Sequence, residues 1–317
     1  MLEILRFAKN LAATKRPGAS WALAKYGKLP LELLEFSSGG IHLRGFGAVD
    51  LSTPEHRFVL QGLGLLRQLG EAGFKTDEIG GGGLRLKRDG IVLLLRTWEE
   101  IFIAHEIFFN LEYDFQLGER TRVVDVGGNT GIASIYFASR PEVGEVVAYE
   151  LFPDTALRFK ETLALNPGLA GRIELREVGL AAEAAELELD YCPDVKGSVG
   201  LFGVGEHARD GRNAMRVEKR KVTVRGAAAA FESLLAAEPA LPLVAKIDCE
   251  GAEYQIIDAL AEAGLLEKVD AFLIEWHGRG DAPIREKLLA AGHAVWPRAH
   301  PGANHGMIYS SLRRRGL

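Results

Sequence analysis

The sequence predicts an α/β fold built on an open, mostly parallel sheet whose last strand runs antiparallel. Three observations predict it. From about residue 120 short apolar runs alternate with helical patterns, those runs lack the apolar-polar alternation of a half-exposed strand, and a glycine-rich corner joins the first run to the first helix. Residues 1–95 do not share this alternation and read as a helical and β-hairpin extension, so the expected division is 1–95 and 96–317.

The bulk numbers narrow the function. At 317 residues the chain can bury one large core or two modest ones, and 47% hydrophobic with 26% charged residues excludes disorder. A formal net charge of −5 gives no general attraction for nucleic acid. The two cysteines, Cys192 and Cys249, offer no disulfide framework and fit a reducing compartment, so a cytoplasmic location is expected. The opening MLEILRFAKNLAATKR carries Glu3, Arg6 and Lys9 inside its apolar run, which denies it a secretory core, and no stretch has the length of a membrane span. Its apolar residues at 1, 4, 5, 8, 11 and 12 recur at helical spacing. We read a helix packed on the body or on a second subunit, with membrane-surface contact as the lesser reading.

From Trp21 to about Gly83 the pattern is helical fragments punctuated by Gly and Pro, closing on a loop, IGGGG, at 79–83. Asp89-Gly90 between two strand-like runs predicts a hairpin. Thr97 followed by Glu100 matches a capping box and predicts a helix over 98–110. The alternating region then predicts strand 121–126, helix 130–140, strand 145–150, helix 154–165 and strand 172–178, followed by strand 244–249, helix 252–263, strand 271–276 and helix 283–291. Between them AELELDY and RVEKRKVTVR alternate polarity and read as an antiparallel excursion around the polar, Gly-rich 193–213. HAVWPRA and GMIYSSL close the chain as two strands joined by a turn.

In an open doubly wound sheet, ligands bind outside the carboxyl ends of the strands. The corner 125–131, DVGGNTG, occupies that position. Gly127, Gly128 and Gly131 permit backbone angles closed to other residues and remove side chains that would keep a ligand from the main chain. Dinucleotides and S-adenosylmethionine both use such corners. The frame Gly-x-Gly-x-x-Gly that cradles a pyrophosphate is absent, and Asp125 would repel that group while accepting from an amino-acid ammonium. Asn129 belongs to the same corner, and Glu150 ends the second strand, where an acid takes ribose hydroxyls.

VVDVGGNTG and AKIDCEGAEYQII (245–257) together resemble the motifs of FkbM-type S-adenosylmethionine-dependent methyltransferases, with YELFPDTALRFKETLALN, AFLIEWHG and EIFFNLEYDF extending the resemblance over about 95–312. The resemblance implies the class I methyltransferase (Rossmann-like) sheet of seven strands in the order 3-2-1-4-5-7-6, and O-methylation of a hydroxyl on a sugar, glycan, polyketide or similar metabolite. It places Val178 and Gly179 beside the adenine. Residues 1–95 lie outside it, and acceptor specificity or a homo-oligomer contact are the two roles open to them.

Methyl transfer from a sulfonium needs a positioned acceptor oxygen and a base to take its proton. His277 and Asp248, at the ends of two strands, are the candidates; Asp248 has orientation of the cofactor as its competing role. Glu250 and Glu253 share a face across a helix start, where capping suffices to explain them. A divalent ion, Mg²⁺ by its oxygen-rich ligands, held by Asp248, Glu275 and His277 is a secondary reading, and no metal site is expected. Lys246 shares a strand face with Asp248 and reads as a salt-bridge or electrostatic group. His300, Asn304 and His305 border the last turn, Trp98 and Tyr113 read as lid or core, and Cys249 reads as a small core residue. A nicotinamide-dependent oxidoreductase and a non-catalytic S-adenosylmethionine-binding module are the alternatives.

Overall fold

Strands covered on both faces need no polar side, and β7 (Thr121–Val126) is buried at all six positions. The computed structural model describes residues 5–6, 9–10, 34–37, 40–43, 47–49, 57–80, 82–193, 199–201, 203–204, 217–299 and 304–312. The chain divides into two units, 1–112 and 113–317. The boundary falls later than 95/96, since α3 (Trp98–Phe108) packs on α1 (Arg57–Gln61) and α2 (Leu63–Glu71) of the first unit.

In the first unit, β1 (Leu34–Ser37), β2 (Gly40–Leu43) and β3 (Gly47–Val49) form an antiparallel sheet. The helical reading of this stretch is thereby corrected: Gly39, Gly40, Gly45 and Gly47 make the sequence a poor helix former, so the strand pairing prevails. The glycine run at 79–83 is likewise no independent loop. It makes the reversal between β4 (Lys75–Gly80) and β5 (Gly83–Arg88). β5 pairs with β6 (Ile91–Leu95) through Asp89 (φ 47°) and Gly90 (φ 82°), the two positive angles of a type I′ turn. Thr97 caps α3 by accepting from the Glu100 N–H at 3.1 Å, and the Glu100 carboxylate reaches back to the Arg96 N–H. Of the N-terminal helical pattern, residues 5, 6, 9 and 10 are helical and the rest lies outside the described residues.

The second unit carries the seven-stranded sheet, in the order β17-β18-β16-β15-β7-β8-β9. Its strands are β7, β8 (Val143–Tyr149), β9 (Ile173–Arg176), β15 (Leu243–Ile247), β16 (Ala271–His277), β17 (His293–Arg298) and β18 (His305–Leu312). β18 runs antiparallel to both neighbours and β7, β8, β9, β15 and β16 are parallel, so the chain-order reading 3-2-1-4-5-7-6 holds. The helices α4 (Ile132–Ser139), α5 (Pro153–Leu165), α8 (Glu253–Glu262) and α9 (Ala282–Ala290) fall where the periodicity put them, their ends within two residues; a short α6 (Pro167–Ala170) follows α5.

The excursion is present: β11 (Ala185–Tyr191) pairs antiparallel with β14 (Glu218–Gly226), while β10 (Gly179–Ala181) runs parallel on the other edge of β14. Inside it β12 (Val199–Gly200) pairs with β13 (Gly203–Val204), and much of 193–213 lies outside the described residues. Helix α7 (Ala227–Leu235) is an addition to the sequence reading. Its signal was the spacing of Ala227, Ala230, Phe231 and Leu234, all buried in the core with Val147, Tyr149, Ile247 and Ile257. Among the described residues no helix is long and apolar enough to cross a membrane.

The Thr97 cap gives a direct expectation. Thr97→Ala removes the acceptor for the Glu100 N–H and should lower the unfolding free energy of the first unit by about 1 kcal/mol. Urea denaturation of the full chain, followed by an amide-exchange signal within 57–108, reads this; an unchanged midpoint would contradict it.

Candidate functional site

The corner after β7 is shaped by contacts within the chain. The N–H groups of Gly127 and Gly128 both donate to the Tyr149 carbonyl at the end of β8, at 3.0 and 2.9 Å. Gly127 (φ 81°) and Gly131 (φ 84°) occupy the left-handed region. A Cβ at Gly127 would lie 1.8 Å from the Asp248 carbonyl oxygen, and one at Gly128 or Gly131 would lie 2.9 Å from the Phe159 ring of α5. The sequence reading reserved this room for a ligand; Asp248 and Phe159 use it.

What the corner leaves open is hydrogen-bond acceptor capacity. Asn129 (φ 47°) donates its N–H to Glu150 Oε2 at 2.8 Å, and its own Oδ1 is buried without a hydrogen-bond partner. Glu150 Oε1 accepts from the Phe152 N–H at 2.9 Å, so each carboxylate oxygen holds one backbone donor and retains a lone pair. Burial pushes the Glu150 carboxyl up to about 7, against the pull of those two N–H groups and of Lys246. Gly179 is brought beside Glu150's neighbour, since a Cβ there would lie 2.7 Å from Leu151 Cδ1. Val178 packs against the main core and lines a cavity of about 340 Å³ with Glu174, Arg176, Glu177, Arg225 and Ser233, none of them a catalytic candidate.

Beneath the corner lies a buried charge cluster. Asp125, fully buried, accepts from Ser134 Oγ at 2.6 Å and stands 3.0 Å from Lys246 Nζ. The same ammonium donates to the carbonyls of Gly127 (2.7 Å) and Val126 (3.3 Å) and lies 3.5 Å from Asp248 Oδ2. Burial opposes its charge, yet Asp125 and Asp248 outweigh burial and hold Lys246 well above the ordinary lysine range. The ammonium that the sequence reading assigned to a ligand at Asp125 is therefore supplied by the chain. Asp248 also accepts from the Tyr113 hydroxyl at 3.0 Å.

A second group of charges gathers at the carboxyl ends of β15 and β16. His277 Nδ1 lies 2.9 Å from Glu253 Oε1, and its Nε2 lies 3.7 Å from Glu275 and 3.9 Å from Glu250. His305 Nδ1 is 3.3 Å from Glu275, and its ring stacks on His277 with centroids 6.3 Å apart. Glu253 is fully buried, and its Oε1 also accepts from the N–H groups of Cys249 (3.2 Å) and Gly251 (3.1 Å), so the acid that caps the turn also holds the histidine. Burial opposes the charge on His277, but the Glu253 hydrogen bond and the surrounding carboxylates raise it to about 10. Burial raises Glu250, which adopts φ 56°, to about 8. The three groups spaced to share an ion are Asp248, Glu253 and His277, with ligand atoms within 4.8 Å of one another, where the sequence reading had Glu275 in place of Glu253.

Of the remaining candidates, Cys249 is half-buried with its thiol pushed well up by burial, and Cys192 is buried. Asn304 is exposed, and its carbonyl accepts the Gly278 N–H at 2.7 Å. His300 lies outside the described residues. Tyr113 belongs to the second unit, whereas Trp98 belongs to the first and stacks on Phe102.

The strand order, the corner and the acid ending β8 define a class I, Rossmann-like methyltransferase fold. Within that class the chain is similar to the FkbM-type S-adenosylmethionine-dependent methyltransferases. No family model matches the chain. It is 27% identical over 210 residues to Methyltransferase 1 of Beauveria bassiana, covering 61% of this chain and 81% of that protein. It is 33% identical over 104 residues to Methyltransferase sdnD of Sordaria araneosa, covering 32% of this chain and 40% of that one. Among solved structures it is similar to Methyltransferase FkbM of Methylobacillus flagellatus KT, with a TM-score of 0.43 at 12% identity, covering 80% of this chain and 59% of that chain. TrmK of M. capricolum, in complex with S-adenosylhomocysteine, gives 0.39 at 10% identity, covering 65% and 67%. At these scores the fold assignment rests on the strand order itself.

The close approach at Gly127 gives a second expectation. Gly127→Ala places a Cβ against the Asp248 carbonyl at a positive φ, so it should cost stability in the absence of any ligand. A loss of about 2 kcal/mol corresponds to a fall in Tm of about 4–8 °C. Calorimetry of the ligand-free variant checks it, and an unchanged Tm would return the glycine to the ligand.

Proposed function

We propose that the chain is an S-adenosylmethionine-dependent O-methyltransferase acting on a hydroxyl of a sugar, glycan, polyketide or similar metabolite. The observation that carries the reading is Glu150: a buried carboxylate at the end of β8, bonded to the corner through the Asn129 N–H, with lone pairs left for two ribose hydroxyls. Asn129 Oδ1 adds a buried acceptor beside it, and Val178 and Gly179 form the adenine edge. Gly127, Gly128 and Gly131 serve the cofactor in this reading by shaping the turn that carries Asn129. Asp125 acts there indirectly, by fixing Lys246 against the corner carbonyls.

S-Adenosylmethionine, when bound, supplies an electrophilic methyl group on a sulfonium. The chain's part is to orient the acceptor and take its proton. His277 Nε2 is the base in this reading, and Asp248, engaged by Lys246 and Tyr113, orients rather than abstracts. Because the surrounding acids keep His277 protonated up to about 10, the competent neutral form grows as pH rises toward that value. The formal net charge of −5 offers no general attraction to a polyphosphate backbone, which favours a small acceptor over nucleic acid. Two free cysteines fit a cytoplasmic enzyme. A homo-oligomer contact or acceptor selection remains the proposed use of residues 1–95.

Calorimetric titration with S-adenosylhomocysteine, with NAD⁺ in parallel, tests the reading. Micromolar binding of the first alone is expected; binding of NAD⁺ alone would favour an oxidoreductase, and binding of neither would remove the proposal. With an acceptor in hand, kcat should rise with pH from 7 toward 10. His277→Ala should cut kcat at least about 100-fold with little change in cofactor affinity; normal turnover would move the role to Asp248, and cofactor binding without transfer to any acceptor would leave a binding module.

A further inference from the structure

We infer that Glu253 is a positioning residue for His277: its carboxylate fixes which imidazole nitrogen carries the proton and leaves Nε2 to serve the acceptor. The inference rests on the methyl-transfer reading for the purpose of Nε2 and on geometry for the pairing. Glu253 Oε1 stands 2.9 Å from His277 Nδ1 and simultaneously accepts from the N–H groups of Cys249 and Gly251. Those two backbone donors immobilise the carboxylate before the histidine is considered, and full burial removes water as a competing partner. A carboxylate has no proton to give, so Nδ1 is the protonated nitrogen. The opposite nitrogen, Nε2, is turned toward Glu250 and Glu275, neither within 3.5 Å, which leaves it free to take a proton from a third group.

Capping and positioning are thus joined in one side chain. Glu253 sits at the first turn of α8, where a carboxylate is favoured by the free N–H groups in any case. Ordinary capping does not call for a histidine from a different strand, and β16 delivers one at its last position. The arrangement follows the general logic in which a buried acid sets the tautomer and orientation of an imidazole base.

His277 is faced by Glu253 on α8, Asp248 and Glu250 after β15, Glu275 on its own strand, and His305 on β18. Glu253→Gln keeps one acceptor oxygen for all three donors, removes the charge and places an amide NH2 where Oε2 stood. The measurement is the pH titration of the His277 imidazole by ¹⁵N NMR in the ligand-free full chain, with His277→Gln used for assignment. In the wild type Nδ1 should stay protonated while Nε2 titrates with a midpoint well above the ordinary histidine range. In Glu253→Gln the midpoint should fall by about one to three pH units, and the ascending limb of kcat should move to lower pH by the same amount with KM for S-adenosylmethionine unchanged. A side chain that only caps the turn would leave midpoint and limb where they are, which would overturn the inference. So would a wild-type imidazole that titrates near the ordinary value or carries its proton on Nε2, a result that needs no variant to fold. The titration is read without cofactor; a chain that fails to bind S-adenosylhomocysteine would defeat the methyltransferase reading, and the imidazole shift would still decide the pairing.

Discussion

Lys246 is the constraint on which the site depends. One ammonium, almost without solvent exposure, lies within ion-pair distance of Asp125 and Asp248 and donates to two carbonyls of the corner. An isolated charge at such depth would be strongly unfavourable, and so would the fully buried Asp125 alone. Together they fix the ends of β7 and β15 against each other, and the backbone carbonyl of Asp248 closes the remaining gap over Gly127. The corner is rigid because its charges have no alternative partners of equal quality. Rigidity of this kind matters for a displacement reaction, which gains most from reactants held at a fixed distance and angle.

The second charge group obeys a different rule. Around His277 the acids outnumber the cations, and the imidazole is held protonated among them, while Glu250 is raised chiefly by its burial and further by its acidic neighbours. The two clusters share Asp248, which touches Lys246 on one side and contributes to the field at His277 on the other. A change of charge at one cluster is therefore felt at the other through a single carboxylate.

Most of the fold was legible because parallel strands and their helices announce themselves by period. Residues 121–126 carry no polar alternation, and the helices that follow repeat apolar positions at helical spacing. The misses have local causes. Three-residue β10 is too short to show a period, the alanines of α7 contrast little with their surroundings, and the strands at 34–49 hide among glycines that punctuate any structure. In the site, residue types and approximate places were readable, whereas partners were not. Nothing in the sequence says that Asp125 takes its cation from a residue 121 positions on, since that pairing exists only once β7 and β15 lie side by side. Glu253 shows the same limit: its place at a helix start suggested capping, and the link to His277 required the spatial adjacency of α8 and β16.

The excursion that interrupts the sheet begins and ends at one point. Ala181, the last residue of β10, is the registered partner of Gly226, the last of β14, from which α7 departs. Between them β11 and β14 pair with each other, and Tyr191, Cys192 and Val222 bury against Phe152 at the start of α5. Closing such a loop costs an entropy that grows only with the logarithm of its length, and neither β9 nor β15 has to move to accommodate a longer or shorter one. The insertion is nonetheless not remote from the site: a Cβ at Gly200 would lie 2.7 Å from the Cys249 carbonyl oxygen, so a change within this segment is transmitted directly to the turn that carries Glu250.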